Sequence, residues 1–355
     1  MSVPTTDSAM YRTMQRQPAD LRRLLSEGEG EAGQVADLLA GAARVFLVGI
    51  GTSYHAAQVG EWLLRAAGSD ALAVNSFDFA RYPESYPVRA GDAVVVMAHS
   101  GVKRFSAESM ARAGLAGATT LSVGSLTAEH PGSQLVLRTV ERETSAAFTA
   151  SHLAAMTVLA QVATNLGERR DAPGTSGFRA ALAALPDAVA AALAREAEVE
   201  PIAALANAGR VYAAGAGPNA ATAAELVIKA REAAYGHVDA LPAEQFLHGP
   251  LVAVNAGDLA VLVNVPGAGA DRTAEIAAVL DAIGAHVWLV GQAATEVPAA
   301  TTFALPAMPE VLSPLLTLIP MQLLAYQMAV RNGVHPDTFR RDVPRYAAAF
   351  SRIKL

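Results

Sequence analysis

The chain of 355 residues contains no cysteine, which excludes disulfides, thiolate metal sites and cysteine nucleophiles. Lysine is almost as scarce. Of 27 basic residues only Lys103, Lys229 and Lys354 are lysines, the rest being arginine, so each lysine is worth following into its motif. Charged residues make up 17% of the chain and aromatic residues 6%, against 52% hydrophobic residues, a balance that excludes a disordered or fibrous protein. A formal net charge of −6 argues against a nucleic-acid-binding surface. The N-terminal stretch from Met1 to Leu25 has no apolar core of the signal-peptide kind. One long uncharged run, Leu312 to Val330, carries Pro314, Pro320, Gln322 and Gln327 and has no second span beside it. It reads as a buried core or dimer helix rather than a membrane span. The expectation is a soluble, cytoplasmic protein with no membrane or nucleic-acid partner.

The length allows roughly two domains of about 150 residues each, and the chain matches itself at a corresponding offset. Arg44-Val45-Phe46-Leu47-Val48-Gly49-Ile50-Gly51 resembles Arg210-Val211-Tyr212-Ala213-Ala214-Gly215-Ala216-Gly217, 166 residues on. Gly91-Asp92 with its apolar run resembles Gly257-Asp258 at the same offset, and Gly117 to Gly124 resembles Gly284 to Gly291 at 167. Each half therefore reads as one copy of the same domain.

Within each copy a short apolar run, a glycine-rich turn and a helix-period stretch alternate. Val94 to Met97 and Ala260 to Val263 lack alternation, as strands buried on both faces of a parallel sheet do. Phe105 to Leu115 and Ala274 to Ile283 carry helical spacing. Such βαβ units predict an α/β fold, each half a three-layer α/β/α sandwich around a parallel sheet. The expected division is an N-terminal helical segment over 1–33, a first domain over 34–170 and a helical connection over 171–200. A second domain over 201–333 and a C-terminal tail over 334–355 follow.

Ligands of such sheets bind outside the carboxyl ends of the strands. The loops there are Gly51-Thr52-Ser53, His99-Ser100-Gly101-Val102-Lys103-Arg104 and Glu143-Thr144-Ser145, all in the first half. Ordinary turns with Ser and Thr as helix caps would account for any one of them. Three together, rich in hydroxyls and backbone donors and including a cation, suit a phosphate monoester. Gly49-Ile50-Gly51 lacks the third glycine of a dinucleotide fingerprint, because Tyr54 stands in its place, so no nicotinamide cofactor is expected.

The second half carries Glu225, Lys229 and Glu232 at i, i+4 and i+7, on one face of a single helix. A solvated Glu–Lys pair is the mundane account, but the surrounding Ala/Val/Leu/Ile sequence predicts a half-buried helix, where bare charges are costly. Charges kept there suit general acid–base work. His248, just before Gly249-Pro250, stands in a rigid loop and suits a neutral-pH acid. With no His-x-x-x-His or His/Asp cluster, neither a metal nor another cofactor is expected.

These residues resemble the isomerase half of glutamine–fructose-6-phosphate amidotransferase, which is built from two sugar isomerase (SIS) domains. The resemblance runs from Met10 and Gln17-Pro18 through Gly51-Thr52-Ser53-Tyr54-His55-Ala56, Ser100-Gly101 and Ala147-Phe148-Thr149. Its most specific portion joins Glu225, Lys229, Glu232 and His237 to His248-Gly249-Pro250. It implies two tandem SIS domains and sugar-phosphate binding by Thr52, Ser53, Ser100 and the Thr144-Ser145 loop; Gly51, Gly101, Lys103 and Glu225 are candidate substrate-binding residues beside them. It further implies that Glu232 moves a proton between C1 and C2, that Lys229 supports it, and that His248 helps open the ring from a neighbouring subunit of a homodimer.

The chain also departs from that family. No glutaminase half is expected in these residues, and without cysteine no glutamine-dependent amination is expected of this chain alone. Where relatives have Ser-x-Ser-Gly-Glu-Thr, this chain has Ala98-His99-Ser100-Gly101-Val102-Lys103, so Lys103 and Arg104 replace hydroxyls. The tail that begins at Asp337-Thr338-Phe339-Arg340 puts the relatives' Schiff-base lysine near Pro344, and only Lys354 could replace it. The expected activity is that of a sugar-phosphate aldose–ketose isomerase or amino-sugar-phosphate isomerase/deaminase. A deglycase or lyase acting on phosphorylated amino-sugar conjugates, and a non-catalytic sugar-phosphate sensor, are the alternatives.

Overall fold

The computed structural model describes residues 7–291, 297 and 300–353. In chain order the helices and strands of the first part are α1 (Ala9–Glu27), α2 (Glu29–Ala40), β1 (Val45–Gly49), α3 (Thr52–Ala66), β2 (Ala71–Asn75), α4 (Ser76–Arg81), β3 (Ala93–Met97), α5 (Arg104–Leu115), β4 (Thr119–Gly124), β5 (Leu135–Arg138), α6 (Ala150–Arg169) and α7 (Phe178–Leu193). They are followed by α8 (Glu200–Ala208), β6 (Val211–Gly215), α9 (Asn219–Ala234), β7 (Val238–Pro242), α10 (Ala243–Leu247), β8 (Leu259–Asn264), α11 (Ala270–Ile283), β9 (His286–Gly291), β10 (Thr301–Ala304), α12 (Pro314–Asn332) and α13 (Pro344–Phe350).

The chain divides into two compact units. Among the described residues one comprises 16–143 and 150–186; the other holds 7–15, 144–149, 187–291, 297 and 300–353. Each contains one five-stranded sheet with every pairing parallel, ordered β2-β1-β3-β4-β5 in the first and β7-β6-β8-β9-β10 in the second. The α/β class and the parallel sheets with flanking helices are therefore as the sequence predicts.

The assignment of 144–149 differs from the linear order. Asp337 explains it: its carboxylate accepts from the Ala9 and Met10 amides and lies 3.2 Å from the Ser145 hydroxyl. One half-buried acid thus ties the start of α1, the segment before α6 and the C-terminal tail together within the second unit.

The central strands are uniform in burial. β1, β3, β6 and β8 are buried at every position, which is why their sequences are continuous apolar runs rather than alternating ones. In the first unit Phe46, Val48, Val94 and Val96 pack with Phe79 and Met110; in the second, Tyr212, Leu262 and Leu289 pack with Phe246, Ile276 and Leu280. The uncharged run is α12, which packs along α9 and α8; 94% of its most apolar window lies inside the protein. It is a core helix. Its polar residues are used internally, with Asn219 of α9 bonded to Ser313 at 2.7 Å and to Thr317 at 2.8 Å.

Candidate functional site

In the first unit the strand order reverses between β1 and β3, and the crevice at their carboxyl ends is where a ligand of such a sheet sits. The loop Ile50–Gly51 delivers the chain into α3, and His99 to Lys103 delivers it into α5. Gly51 has φ +59°, a conformation that L side chains rarely adopt, and nothing lies within 4 Å of the space its side chain would fill. Gly49 is constrained differently: a Cβ there would overlap the Ser53 carbonyl, so the start of α3 can lie against the end of β1 only without one. Thr52 and Ser53 are thereby placed in the first turn of α3, where helix N–H groups have no intrahelical acceptor.

The second loop is built around histidines. His99 accepts the Glu143 amide on Nε2 at 3.1 Å, which places the ring proton on Nδ1. Burial, with Arg142 and Arg16 nearby, lowers its pKa to about 4. His130, in the loop after β4, is 8% exposed and is likewise lowered to about 4, chiefly by burial and then by Arg138 and His99. Its ring lies where a side chain on Gly124 would be. Both rings are therefore neutral at pH 7. Lys103 and Arg104 are exposed at the start of α5; Arg104 lies over the Phe105 ring, 4.9 Å from its centroid, and 3.9 Å from Glu108. That guanidinium is engaged along the surface of its own helix.

Thr144 and Ser145, expected with these loops, belong to the other unit. Thr144 is exposed, whereas Ser145 is buried, 2.9 Å from the Ala147 carbonyl and 3.2 Å from Asp337. Ser145 serves the junction that Asp337 organises.

The second unit holds the acid–base residues. Glu225 and Lys229 are 0% and 1% exposed, and Glu232 is 24% exposed. The Lys229 ammonium stands 3.5 Å from Glu225 Oε1 and donates to Glu232 Oε2 at 2.7 Å. The face is buried more deeply than the expected half. One ammonium between two carboxylates supplies counter-charge that offsets part of the cost of burying Glu225. Glu232, in the last turn of α9, is the member that reaches solvent. The turn ends at Tyr235 in the left-handed conformation, and the Tyr235 hydroxyl holds the tail through Thr338 at 2.6 Å and the Arg340 amide at 2.8 Å. Pro344 opens α13; Lys354 lies outside the described residues.

His248 follows α10, with its side chain 68% exposed. Its Nε2 lies 3.0 Å from Glu244, whose carboxylate Arg272 grips at 2.7 and 3.0 Å. Arg272 and His248 together hold the Glu244 pKa down at about 2. Sequence reasoning passed over Glu244, Arg272 and His130. Arg272 is remote from His248 in sequence, and no spacing signals a lone His in Glu129-His130-Pro131-Gly132. Among the described residues no group of three or more His, Asp or Glu is arranged to hold a metal ion.

Comparison with known proteins bears on the fold and family of the chain. The SIS domain family matches residues 204–331. The isomerizing glutamine–fructose-6-phosphate aminotransferase of Pyrococcus horikoshii is 28% identical over 334 residues, covering 92% of this chain and 56% of that protein. The chain thus spans little more than half the length of the curated relatives it matches. Among solved structures, the C-terminal domain of glucosamine-fructose-6-phosphate aminotransferase from Francisella tularensis superposes with TM-score 0.83 at 19% identity, over 93% of this chain and 98% of that one. Tagatose-6-phosphate ketose/aldose isomerase from Escherichia coli gives 0.78 at 17% identity, over 95% and 96%. The chain resembles the double-SIS proteins, and within them the isomerase half of the aminotransferase.

Proposed function

We propose that this chain is a sugar-phosphate isomerase that moves a proton between C1 and C2 of an open-chain hexose or hexosamine phosphate, with Glu232 as the base. The carrying observation is the Glu225–Lys229–Glu232 set, in which two members are buried and Glu232 alone is open to solvent. A carboxylate suited to this task must reach its substrate while its protein side is fixed, and the 2.7 Å bond to Lys229 fixes Glu232. Glu232 takes the proton from C2 of an aldose, leaving an enediol, and returns it to C1 to give the ketose. Positioned donors stabilise the charge that develops on the sugar oxygens. With an amino group on C2 the same transfer yields an imine, which water cleaves to ketose and ammonia. Thr52, Ser53 and the backbone about Ser100 and Gly101 take the phosphate. His248 assists ring opening, in a homodimer of the kind the resemblance implies. The match to named sugar-phosphate enzymes supports this reading.

Proton NMR in D2O with a panel of hexose and hexosamine 6-phosphates tests it. The expected result is deuterium at C1 or C2, reduced at least about 10²-fold in Glu232→Gln with binding retained. Undiminished exchange in the variant overturns the role of Glu232. Binding with no exchange by the unaltered protein would make it a sensor. Ammonia release would identify a deaminase.

A further inference from the structure

In the first unit the loop from His99 to Lys103 is laid against a second loop, which runs from Ser125 to Glu129 after β4. The Ala98 amide donates to the Val123 carbonyl at 2.9 Å, continuing the pairing of β3 with β4. Beyond it the His99 carbonyl accepts the Ser125 amide at 2.9 Å, and the Val102 amide donates to the Glu129 carbonyl at 3.4 Å. Gly101, at φ +91°, lies so close to that carbonyl that a Cβ there would stand 3.0 Å from it. The second loop is thus the wall that sets the course of the first.

One side chain holds the wall. Arg138, the last residue of β5, directs a single guanidinium nitrogen, Nη1, at two of its carbonyls, Ser125 at 2.8 Å and Ala128 at 2.7 Å. Each of the two hydrogens on that nitrogen has its own acceptor, and a charged donor makes both bonds stronger than neutral ones. Arg138 is itself fixed, because its amide donates to Glu31 Oε2 at 3.2 Å. The peptide planes that Arg138 grips are the immediate neighbours of those that meet the first loop through the Ser125 amide and the Glu129 carbonyl. Backbone donors hold an anion only when the main chain points them at it.

We infer that Arg138 is a positioning residue for phosphate recognition: it fixes the loop from Ser125 to Glu129 and, through it, the direction of the amides about Ser100 and Gly101. The inference rests on the phosphate reading given above for those amides. In a hexose 6-phosphate the ester stands at the far end of the sugar from C1 and C2. The hold on it therefore serves substrate and transition state alike, and its loss raises KM while leaving kcat in place.

Calorimetric titration with inorganic phosphate, and C1–C2 deuterium exchange on fructose 6-phosphate over a range of concentrations, test it in two variants. Arg138→Met removes both bonds; the ammonium of Arg138→Lys can donate to both carbonyls. Arg138→Met is expected to bind phosphate at least about 10-fold more weakly, with KM raised by a similar factor and kcat within about twofold. Arg138→Lys is expected to recover at least about threefold of that loss. Unchanged phosphate affinity in Arg138→Met, or a fall in kcat at constant KM, overturns the inference. Amide hydrogen exchange distinguishes positioning from general destabilisation. Ser125 and Val102 are expected to exchange faster in Arg138→Met while Val95 and Val96 of β3 do not, and equal acceleration throughout overturns the inference. In the unaltered protein, saturating phosphate is expected to slow the Ser125 amide, and no change there with phosphate bound overturns the coupling. No phosphate binding by the unaltered protein, with Ser125 and Val102 still loosened in Arg138→Met, would refute the phosphate reading and leave the hold of Arg138 on the two loops standing.

Discussion

Lys229→Met is the substitution whose consequence follows most directly from the structure. Lys229 is 1% exposed, 2.7 Å from Glu232 and 3.5 Å from the fully buried Glu225. Removing the ammonium takes from both carboxylates the charge that balances them, while methionine preserves most of the side-chain volume, so little of the effect is packing. Breaking a buried ion pair by deleting one partner costs about 3–5 kcal/mol, because the remaining charge stays desolvated. With a urea slope of about 2 kcal/mol/M, the unfolding midpoint should fall by roughly 1.5–2.5 M. Far-UV circular dichroism during urea titration measures it. The companion is the triple variant Glu225→Leu, Lys229→Met, Glu232→Leu, in which none of the three charges remains. It should unfold within about 2 kcal/mol of the unaltered protein, yet exchange no C1 or C2 proton. A midpoint shift below about 0.5 M for Lys229→Met would refute the reasoning, since it would mean that water reaches Glu225 freely.

Two further predictions concern the first unit. His99 and His130 are both lowered to about 4 in the fold, while in the unfolded chain they titrate near 6.5. Between those values the unfolded state binds more protons, so stability is full above about pH 6.5 and falls as pH drops toward 4. The loss is at most about 3 kcal/mol per histidine. Urea midpoints measured from pH 7 to 4.5 should decline less steeply in His130→Leu than in the unaltered protein, and parallel curves would refute the assignment. Gly49→Ala should destabilise by about 1–3 kcal/mol and weaken phosphate binding, because the new methyl group drives the start of α3 off the end of β1. Thermal unfolding and phosphate titration check both effects.

Much of the architecture was legible because local pattern and tertiary environment coincide. β1, β3, β6 and β8 are buried on both faces, so their sequences had to be continuous apolar runs. Likewise α12 has no charged residue before Arg331 because nearly all of it is interior. Glu225, Lys229 and Glu232 were legible as a set because they share one helix, where sequence spacing fixes angular position. Their depth was not. Spacing gives direction but not the neighbours: α9 packs against α12 and against β6, β7 and β8, and Glu225 and Lys229 are fully enclosed.

The sequence by itself determined the fold class, the strand runs, the loops that follow them and the acid–base helix, since each depends on residues near one another in the chain. The tertiary structure decided what distance along the chain conceals. It turned Ser145 inward to Asp337, gave His248 its Glu244–Arg272 support, and set His130 against Gly124. It also closed the loop from Ser125 to Glu129 on Arg138. The Ser145–Asp337 and Glu244–Arg272 contacts join segments far apart in sequence, whose approach only the completed packing specifies, and no periodicity carries that information.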